Sequence, residues 1–136
     1  MSEAILHLSI PVTDLVASRR FYVEVLGCRP GRHRADFVDV WFFGLQLTLQ
    51  QRPEDVRPVA EQGSRHFGVA LLDERQFEQI YARLRSTGGV HWLTPLTQHP
   101  GETLSGKTEF KIADPSGNVI EFKHYRDPTE FLALDA

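Results

Sequence analysis

The sequence lacks the features that mark several large classes of protein. Its single cysteine, Cys28, excludes an intrachain disulfide and a zinc site built from two or four cysteines. The longest apolar runs, 40–45 and 67–72, have six residues, whereas a membrane-spanning helix needs about 18. A formal net charge of −3 argues against a general nucleic-acid binder. The first residues also lack the basic and apolar regions of a signal peptide, so we expect one cytoplasmic domain of 136 residues.

The sequence does contain six histidines beside 18 acidic residues. Histidine is the commonest metal ligand and the usual proton carrier near neutral pH. The composition therefore permits metal or proton chemistry, and the positions of these histidines become the next question.

Two histidines begin similar stretches of sequence. HLSIPVTDLVASRRFYVEVLG begins at His7, and HFGVALLDERQFEQIYARLRSTG begins at His66. Each stretch has a short strand-like run, an aspartate, an amphipathic segment and a glycine. We therefore expect residues 1–136 to form one domain of two pseudo-repeats, at about 4–51 and 66–125, joined by a linker at 52–65.

Periodicity predicts the same order of elements, β-α-β-β-β, in each half. In the first half we expect strands at 4–12, 36–43 and 45–50, and a helix from Thr13 or Asp14 to about Leu26. In the second half we expect strands at 66–72, 90–94, 107–113 and 118–124, and a helix that follows Asp73. The helix stripe that should be buried contains Phe77, Ile80, Tyr81 and Leu84, and the segment DPSGN at 114–118 is typical of a turn.

Alternation along the strands separates a polar face from an apolar one. Small residues share the face of each histidine, which is typical of a cavity wall rather than of a packed core. If the polar face is concave, it gathers these side chains into one cleft. The polar-face set comprises His7, Ser9, Gln46, Thr48, Gln50, His66, Glu121, Lys123 and Tyr125.

Two neutral imidazoles and one carboxylate form a set that holds a divalent metal and leaves coordination positions open. His7, His66 and Glu121 provide such a set. Thr48 in the first half occupies the place of Glu121 in the second, since each lies four residues after a glycine. Threonine ligates such metals poorly, so we expect three protein ligands. The alternative is that the histidines are ordinary strand residues and the glutamate is a solvated surface residue.

The sequence resembles the vicinal oxygen chelate superfamily, which includes glyoxalases, extradiol dioxygenases, fosfomycin-inactivating transferases and bleomycin-binding proteins. The matching segments are His7 with Val12–Gly27, His66 with FGVALLD, and DPSGNVIEFK at 114–123. The resemblance is closest to small predicted extradiol-type dioxygenases. It implies an α+β fold of paired βαβββ modules that form a curved, cup-shaped mixed sheet with helices on the outside, often in a homodimer. It also implies that His7, His66 and Glu121 bind one divalent metal ion.

The resemblance implies a metal-dependent enzyme, with Fe(II) favoured and Mn, Ni or Zn as alternatives. We expect an extradiol-type dioxygenase whose small substrate chelates the metal through two adjacent oxygens. The alternatives are a glyoxalase-like isomerase or lyase, a fosfomycin-type transferase, and a resistance protein that binds without turnover. Thr48, or Gln46 if the register shifts by two, replaces a fourth glyoxalase ligand and counts against glyoxalase activity, whereas the three ligands count against a purely binding role.

Further residues have more than one interpretation. Lys107 or Lys123 would offset negative charge on a substrate, and Gln46 and Gln50 would hydrogen-bond to it; the alternative for both lysines is a solvated strand face. A neighbouring acid or base would come from His91, His99, His124 or Tyr125, although parity puts His124 on the apolar face. We interpret Arg29, Arg32, His33 and Arg34 as a solvated loop. The tail at 127–136 either docks on its own domain or covers a dimer partner.

Overall fold

The computed structural model describes residues 3–99, 106–129 and 131–132. Contacts divide the chain into two compact units. The first unit comprises Met1–Ser64 with Asp114–Asn118, and the second comprises Arg65–Ala113 with Val119–Ala136. The division after Ser64 falls inside the predicted linker 52–65, and the predicted turn 114–118 belongs by its contacts to the first unit.

The first unit contains a four-stranded mixed sheet and one helix. Its elements are β1 (His7–Val12), α1 (Leu15–Arg20), a π-helical segment (Phe21–Val25), β2 (Arg29–His33), β3 (Phe37–Phe42) and β4 (Leu45–Gln51). The strand order is β1-β4-β3-β2, with β1 parallel to β4 and the other pairs antiparallel. The linker contains two short 3₁₀ turns, at Pro53–Asp55 and Val59–Glu61.

The predicted first helix changes its winding half-way along. The Asp14 carboxylate accepts a hydrogen bond from the backbone N–H of Ala17 and so begins α1, which decides between the two predicted caps. The π-helical segment then adds a residue to the turn. Phe21 and Tyr22 are consequently both buried, with their rings edge to face at 5.2 Å. Gly27 ends the segment with a positive φ of 82°.

The interpretation of residues 29–34 as a loop is wrong for most of its length. Residues Arg29–His33 form β2, an exposed strand that pairs with β3 at the edge of the sheet. Arginine, proline and glycine give this segment little intrinsic strand preference, so pairing with β3 determines its conformation.

The second unit repeats this architecture. Its elements are β5 (Phe67–Leu71), α2 (Glu74–Ser86), β6 (His91–Gln98), β7 (Lys107–Ala113) and β8 (Val119–Tyr125). The strand order is β5-β8-β7-β6, with β5 parallel to β8. Asp73 caps α2 as predicted, and β6 extends four residues beyond the predicted end at 94.

Each helix packs against the apolar face of its own sheet, α1 on β4 and β3, and α2 on β8 and β5. In the second unit Phe110 is fully buried and stacks on Phe122, with ring centroids 5.1 Å apart. The polar residues of β4 and β8 therefore lie on the face opposite the helix. The predicted α+β class with paired βαβββ modules is confirmed. Neither helix in the described ranges is long and apolar enough to cross a membrane.

Candidate functional site

His66 and Glu121 lie together on the polar face of the second unit. His66 precedes β5, Glu121 lies on β8, and the His66 Nε2 and Glu121 Oε1 atoms are 3.7 Å apart. Gly68 pairs with Glu121, and a Cβ at this glycine would overlap the Glu121 backbone oxygen. Gly68, two residues after His66, therefore allows β5 to approach β8 closely, which keeps the histidine beside the carboxylate of Glu121.

Glu109 extends this pair into a larger charged cluster. Its carboxylate is 2.7 Å from His99 Nε2 and 3.1 Å from Lys107 Nζ, and it lies in the neighbourhood of the Glu121 carboxyl group. Burial alone would raise the pKa of Glu109, but these contacts lower it to about 2. Glu109 was not among the predicted site residues, although the alternation of Lys107, Glu109 and Lys111 along the predicted strand 107–113 puts it on the polar face.

The two lysines of the predicted set belong to the same cluster. Lys123 Nζ lies 3.7 Å from Glu121 Oε1. Burial alone would lower the pKa of Lys107, but the hydrogen bond and charge of Glu109 and the charge of Glu121 raise it. Both amines thus lie beside carboxylates on one face of the sheet, which differs from the alternative of a freely solvated strand face.

Aromatic rings border Lys123. Tyr125, on β8, stacks on Phe131 with centroids 4.4 Å apart, and Lys123 Nζ lies 5.0 Å from the Phe131 centroid. The tail therefore docks on its own unit through Phe131. Residues 130 and 133–136 of the predicted tail lie outside the described residues.

The histidines proposed as neighbouring acids or bases have different environments. His124 is buried on the apolar side, as parity predicted, where its Nδ1 lies 2.8 Å from the carbonyl oxygen of Leu71. His91 is exposed at the start of β6, opposite Ala113. His99 is the histidine of this group that contacts a carboxylate on the polar face.

In the first unit His7 is oriented by Gln46. The strand register pairs the two residues, and His7 Nδ1 lies 3.1 Å from Gln46 Oε1. Because an amide oxygen only accepts hydrogen bonds, this contact favours a proton on Nδ1 and a lone pair on Nε2. That is the form in which histidine binds metals, with its other nitrogen held by a hydrogen bond.

Thr48 is hydrogen-bonded to the buried carboxylate of Asp39, which was not among the predicted site residues. Its hydroxyl donates to Asp39 Oδ1 at 2.7 Å, and Arg32 Nε donates to Asp39 Oδ2 at 2.5 Å. Burial would raise the pKa of Asp39, but the hydrogen bonds from Arg32 and Thr48 and the charge of Arg32 lower it. Arg32 therefore has a structural partner in Asp39, while its side chain stays 54% exposed, in agreement with its interpretation as a solvated residue.

Gln50 is held by a cross-strand hydrogen bond in the same sheet. Its amide donates to Ser9 Oγ at 2.6 Å, and both residues line a cleft of about 200 Å³. Arg52 and Asp55 complete one side of this cleft. The predicted polar residues of β1 and β4 thus bond to one another along one face.

A family model described as "Glyoxalase/Bleomycin resistance protein/Dioxygenase superfamily" matches residues 4–122. The chain belongs to this superfamily. A crystal structure of a glyoxalase/bleomycin resistance protein/dioxygenase from Alicyclobacillus acidocaldarius is 29% identical, with a TM-score of 0.85, and the match covers 96% of this chain and 97% of that one. None of the curated proteins compared with the sequence matches it.

Two structures of lower identity share the superfamily fold. The fosfomycin resistance protein FosX from Listeria monocytogenes has a TM-score of 0.69 at 14% identity, and the match covers 91% of this chain and 94% of that one. Lactoylglutathione lyase from Agrobacterium tumefaciens has a TM-score of 0.64 at 21% identity, with 90% and 94% covered.

The strand registers put the two halves of the chain in correspondence. Thr48 pairs with Ser9, two residues after His7, and Glu121 pairs with Gly68, two residues after His66. Thr48 and Glu121 are therefore equivalent positions, so a register shift that would put Gln46 opposite Glu121 in the repeat is not needed.

The donor atoms are of the type that a superfamily metal requires. Metal–ligand bonds of about 2.0–2.2 Å place neighbouring ligand atoms about 3–3.5 Å apart, close to the 3.7 Å between His66 Nε2 and Glu121 Oε1. Across residues 3–99, 106–129 and 131–132, no three histidine, cysteine, aspartate or glutamate side chains are grouped so that they could hold a metal. A site with three ligands therefore stays a prediction.

Proposed function

We propose that the protein is a divalent-metal-dependent enzyme of the vicinal oxygen chelate type. Its ligands would be His7, His66 and Glu121, with Fe(II) as the favoured ion and Mn, Ni or Zn as alternatives. The reaction would be of the extradiol dioxygenase type, on a small substrate that offers two adjacent oxygens.

The observation that carries this proposal is the contact between His66 Nε2 and Glu121 Oε1 on the polar face of the second unit. His7, at the equivalent place in the first unit, has an imidazole whose Nδ1 contact with Gln46 favours a metal-binding Nε2. The matched registers of the two units support the same functional role for the two histidines.

The environment of Thr48 favours three ligands over four. Its hydroxyl is buried and donates to Asp39, so it is occupied in a hydrogen bond within the sheet. This supports the dioxygenase or transferase type of ligand set over that of a glyoxalase.

A bound divalent ion would polarise two adjacent substrate oxygens. Around it, Lys123 and Lys107 would hold a substrate that carries negative charge, because both amines lie on the polar face beside Glu121 and Glu109. Tyr125 and Phe131 would form a flat apolar wall next to Lys123. These features suit a small anion with a planar or apolar body.

Metal analysis of protein purified anaerobically without a tag tests the proposal. We expect about one equivalent of divalent metal in the wild type and a loss of at least tenfold in affinity in His7→Ala, His66→Ala and Glu121→Gln. His91→Ala is the matched control, because this histidine is exposed at the start of β6. Absence of metal binding in the wild type, or equal binding by His66→Ala, would refute the metal site.

The metal-loaded protein then separates the alternatives. Oxygen uptake with a catechol and Fe(II) supports the dioxygenase. Turnover without oxygen in the presence of Mn, Ni or Zn supports an isomerase, lyase or transferase. Tight binding without turnover supports a resistance protein, of which bleomycin-binding proteins are the example.

We also infer a homodimer from superfamily membership. Light scattering coupled to size-exclusion chromatography tests it, and truncation after Arg126 tests whether the tail contributes. Because Phe131 docks on Tyr125 of its own unit, we expect the truncated protein to keep the oligomeric state of the full chain.

A further inference from the structure

We propose that the cleft between β1, β4 and the linker binds a primary ammonium group of the substrate, with the Asp55 carboxylate as its counter-ion. This inference deepens the proposed function, on which it rests, by naming a second group that the protein recognises, away from the chelating oxygens. Asp55 would then be a specificity-determining residue that the linker contributes to the first unit.

The cleft forms because the chain turns immediately after β4. The backbone N–H of Arg52 donates to the carbonyl oxygen of Val12 at 3.0 Å and so ties the end of β4 to the end of β1. Pro53 then begins a 3₁₀ turn, in which the N–H of Asp55 donates to the carbonyl oxygen of Arg52 at 2.9 Å. This turn brings Asp55 back beside the polar face, where it lines the cleft together with Gln50.

The cleft lies on the same face of the first sheet as His7. Ser9, in its lining, follows His7 by two residues on β1, a separation of about 7 Å along the strand. Across the sheet, Gln50 pairs with Pro11 and hydrogen-bonds to Ser9. A small molecule with its chelating oxygens near His7 would therefore direct a substituent along the strand into the cleft.

The lining offers acceptors of hydrogen bonds and a short apolar wall. Gln50 Nε2 donates to Ser9 Oγ at 2.6 Å, so the other atom of this amide is Oε1, which accepts hydrogen bonds only. The Asp55 carboxylate also accepts only, and Ile10 and Pro11 supply apolar contact. A primary ammonium on a short methylene chain matches this lining, because it donates three hydrogen bonds and accepts none.

The charges around the cleft favour a cation. Arg52 is directed towards Glu54, with Nε 2.6 Å from Oε1, whereas its Nη2 lies 3.7 Å from Asp55 Oδ2, beyond hydrogen-bonding distance. Asp36 is a further acid whose charge acts on Arg52, and Arg57 donates to the backbone carbonyl oxygen of Glu54. Three carboxylates thus accompany two guanidinium groups, which leaves an excess of negative charge.

A pair of probes with one carbon skeleton tests the chemistry of the cleft. The full chain, as purified, is titrated with 2-phenylethylammonium and with 2-phenylethanol, and the amide resonances of Ser9, Gln50 and Asp55 are followed by NMR. We expect the ammonium to bind about two- to fivefold more tightly, since Asp55 is 56% exposed and exposed ion pairs are weak. The preference should decrease at high salt.

Three variants assign the preference to Asp55. Asp55→Asn should bind the ammonium and the alcohol equally. Glu61→Gln is the matched control, because it removes the same charge from the second 3₁₀ turn of the linker and should keep the preference. Arg52→Gln should increase the preference, since it removes the cation that competes for Asp55.

A second pair of probes tests whether the cleft belongs to the substrate site. The protein is loaded with Zn(II), which has no redox chemistry, and titrated with dopamine and with 4-propylcatechol. The two catechols have side chains of equal length that end in an ammonium or in a methyl group. We expect dopamine to bind about two- to fivefold more tightly. Asp55→Asn should remove this difference and leave the affinity for 4-propylcatechol unchanged.

The outcomes separate this inference from the proposed function. If 2-phenylethylammonium and 2-phenylethanol bind equally to the wild type, or if Asp55→Asn and Glu61→Gln behave alike, the cleft is not an ammonium site, whatever the metal result. If the wild type binds no Zn(II), the proposed function fails, while the first pair of probes still decides the chemistry of the cleft. If Zn(II) binds but dopamine gains nothing over 4-propylcatechol, the cleft is not part of the substrate site and the inference is wrong.

Discussion

The hydrogen bond between Tyr22 and Asp114 joins two segments that carry the superfamily resemblance. Tyr22 is fully buried and its hydroxyl donates to Asp114 Oδ2 at 2.8 Å. Asp114 also accepts from the side chain of Asn118 and from the backbone N–H groups of Ser116 and Asn118. Tyr22 and Asp114 both lie in the first unit, so this hydrogen bond is expected to stabilise that unit.

Replacing Tyr22 with phenylalanine should lower the free energy of unfolding by about 1.5–3 kcal/mol at neutral pH. The change removes one donor from a buried carboxylate and adds no new contact, and hydrogen bonds to charged groups have this magnitude. In a chain of 136 residues this corresponds to a fall of roughly 5–12 °C in Tm. Urea denaturation followed by tryptophan fluorescence measures the first quantity, and calorimetry measures the second.

The loss should depend on pH. Burial raises the pKa of Asp114 above its usual 3.8, so its contribution favours the folded state below that value and is lost as pH rises through the raised pKa. Without the Tyr22 hydroxyl the carboxylate is less well stabilised and its pKa rises further. The cost of Tyr22→Phe should therefore shrink to about 0.5–1.5 kcal/mol at about pH 3, where Asp114 is protonated in both proteins.

Tyr81→Phe is the matched control, since Tyr81 packs at the edge of the aromatic cluster of the second unit. We expect it to change the unfolding free energy by less than about 0.5 kcal/mol. The reasoning is refuted if Tyr22→Phe costs no more than Tyr81→Phe, or if its cost is the same at both pH values.

Three further variants test other parts of the structure. Gly68→Ala should destabilise the protein by more than about 2 kcal/mol and weaken metal binding, because its Cβ would overlap the backbone of β8; urea denaturation and metal titration measure both effects. Phe110→Ala should cost about 3–5 kcal/mol in urea, whereas Phe43→Ala, 41% exposed, should cost under about 1 kcal/mol. Asp39→Asn should be less stable than the wild type above the usual carboxyl pKa of 3.8, and the difference should disappear as pH falls through the lowered pKa of Asp39, as unfolding at a series of pH values would measure.

Strand parity predicted much of the candidate site, because the side-chain period of two is a local property of the chain. It put Glu121 and Lys123 on the polar face and His124 on the apolar one, and the structure agrees. The same rule would have found Glu109.

Features that depend on long-range contacts could not be predicted from the local pattern of the sequence. Strand β2 forms because it pairs with β3. Asp39 matters to the structure through its hydrogen bonds to Thr48 and Arg32, and neither can be deduced from local pattern. Likewise, the π-helical turn that buries both Phe21 and Tyr22 depends on packing rather than on the 3.6-residue period. Membership of the turn 114–118 in the first unit is a property of contacts about a hundred residues apart in sequence.

The exposed strand β2 has a consequence for self-association. It lies at the edge of its sheet, and edge strands in general invite pairing with strands from other chains. Here the edge carries Arg29, Pro30 and Arg32, and its register with β3 shifts between Pro30 and His33. Cationic side chains repel a second copy of the same edge, and proline offers no N–H to a newcomer. The segment with the least strand-like sequence is thus an edge strand that is poorly suited to pairing with a second copy of itself.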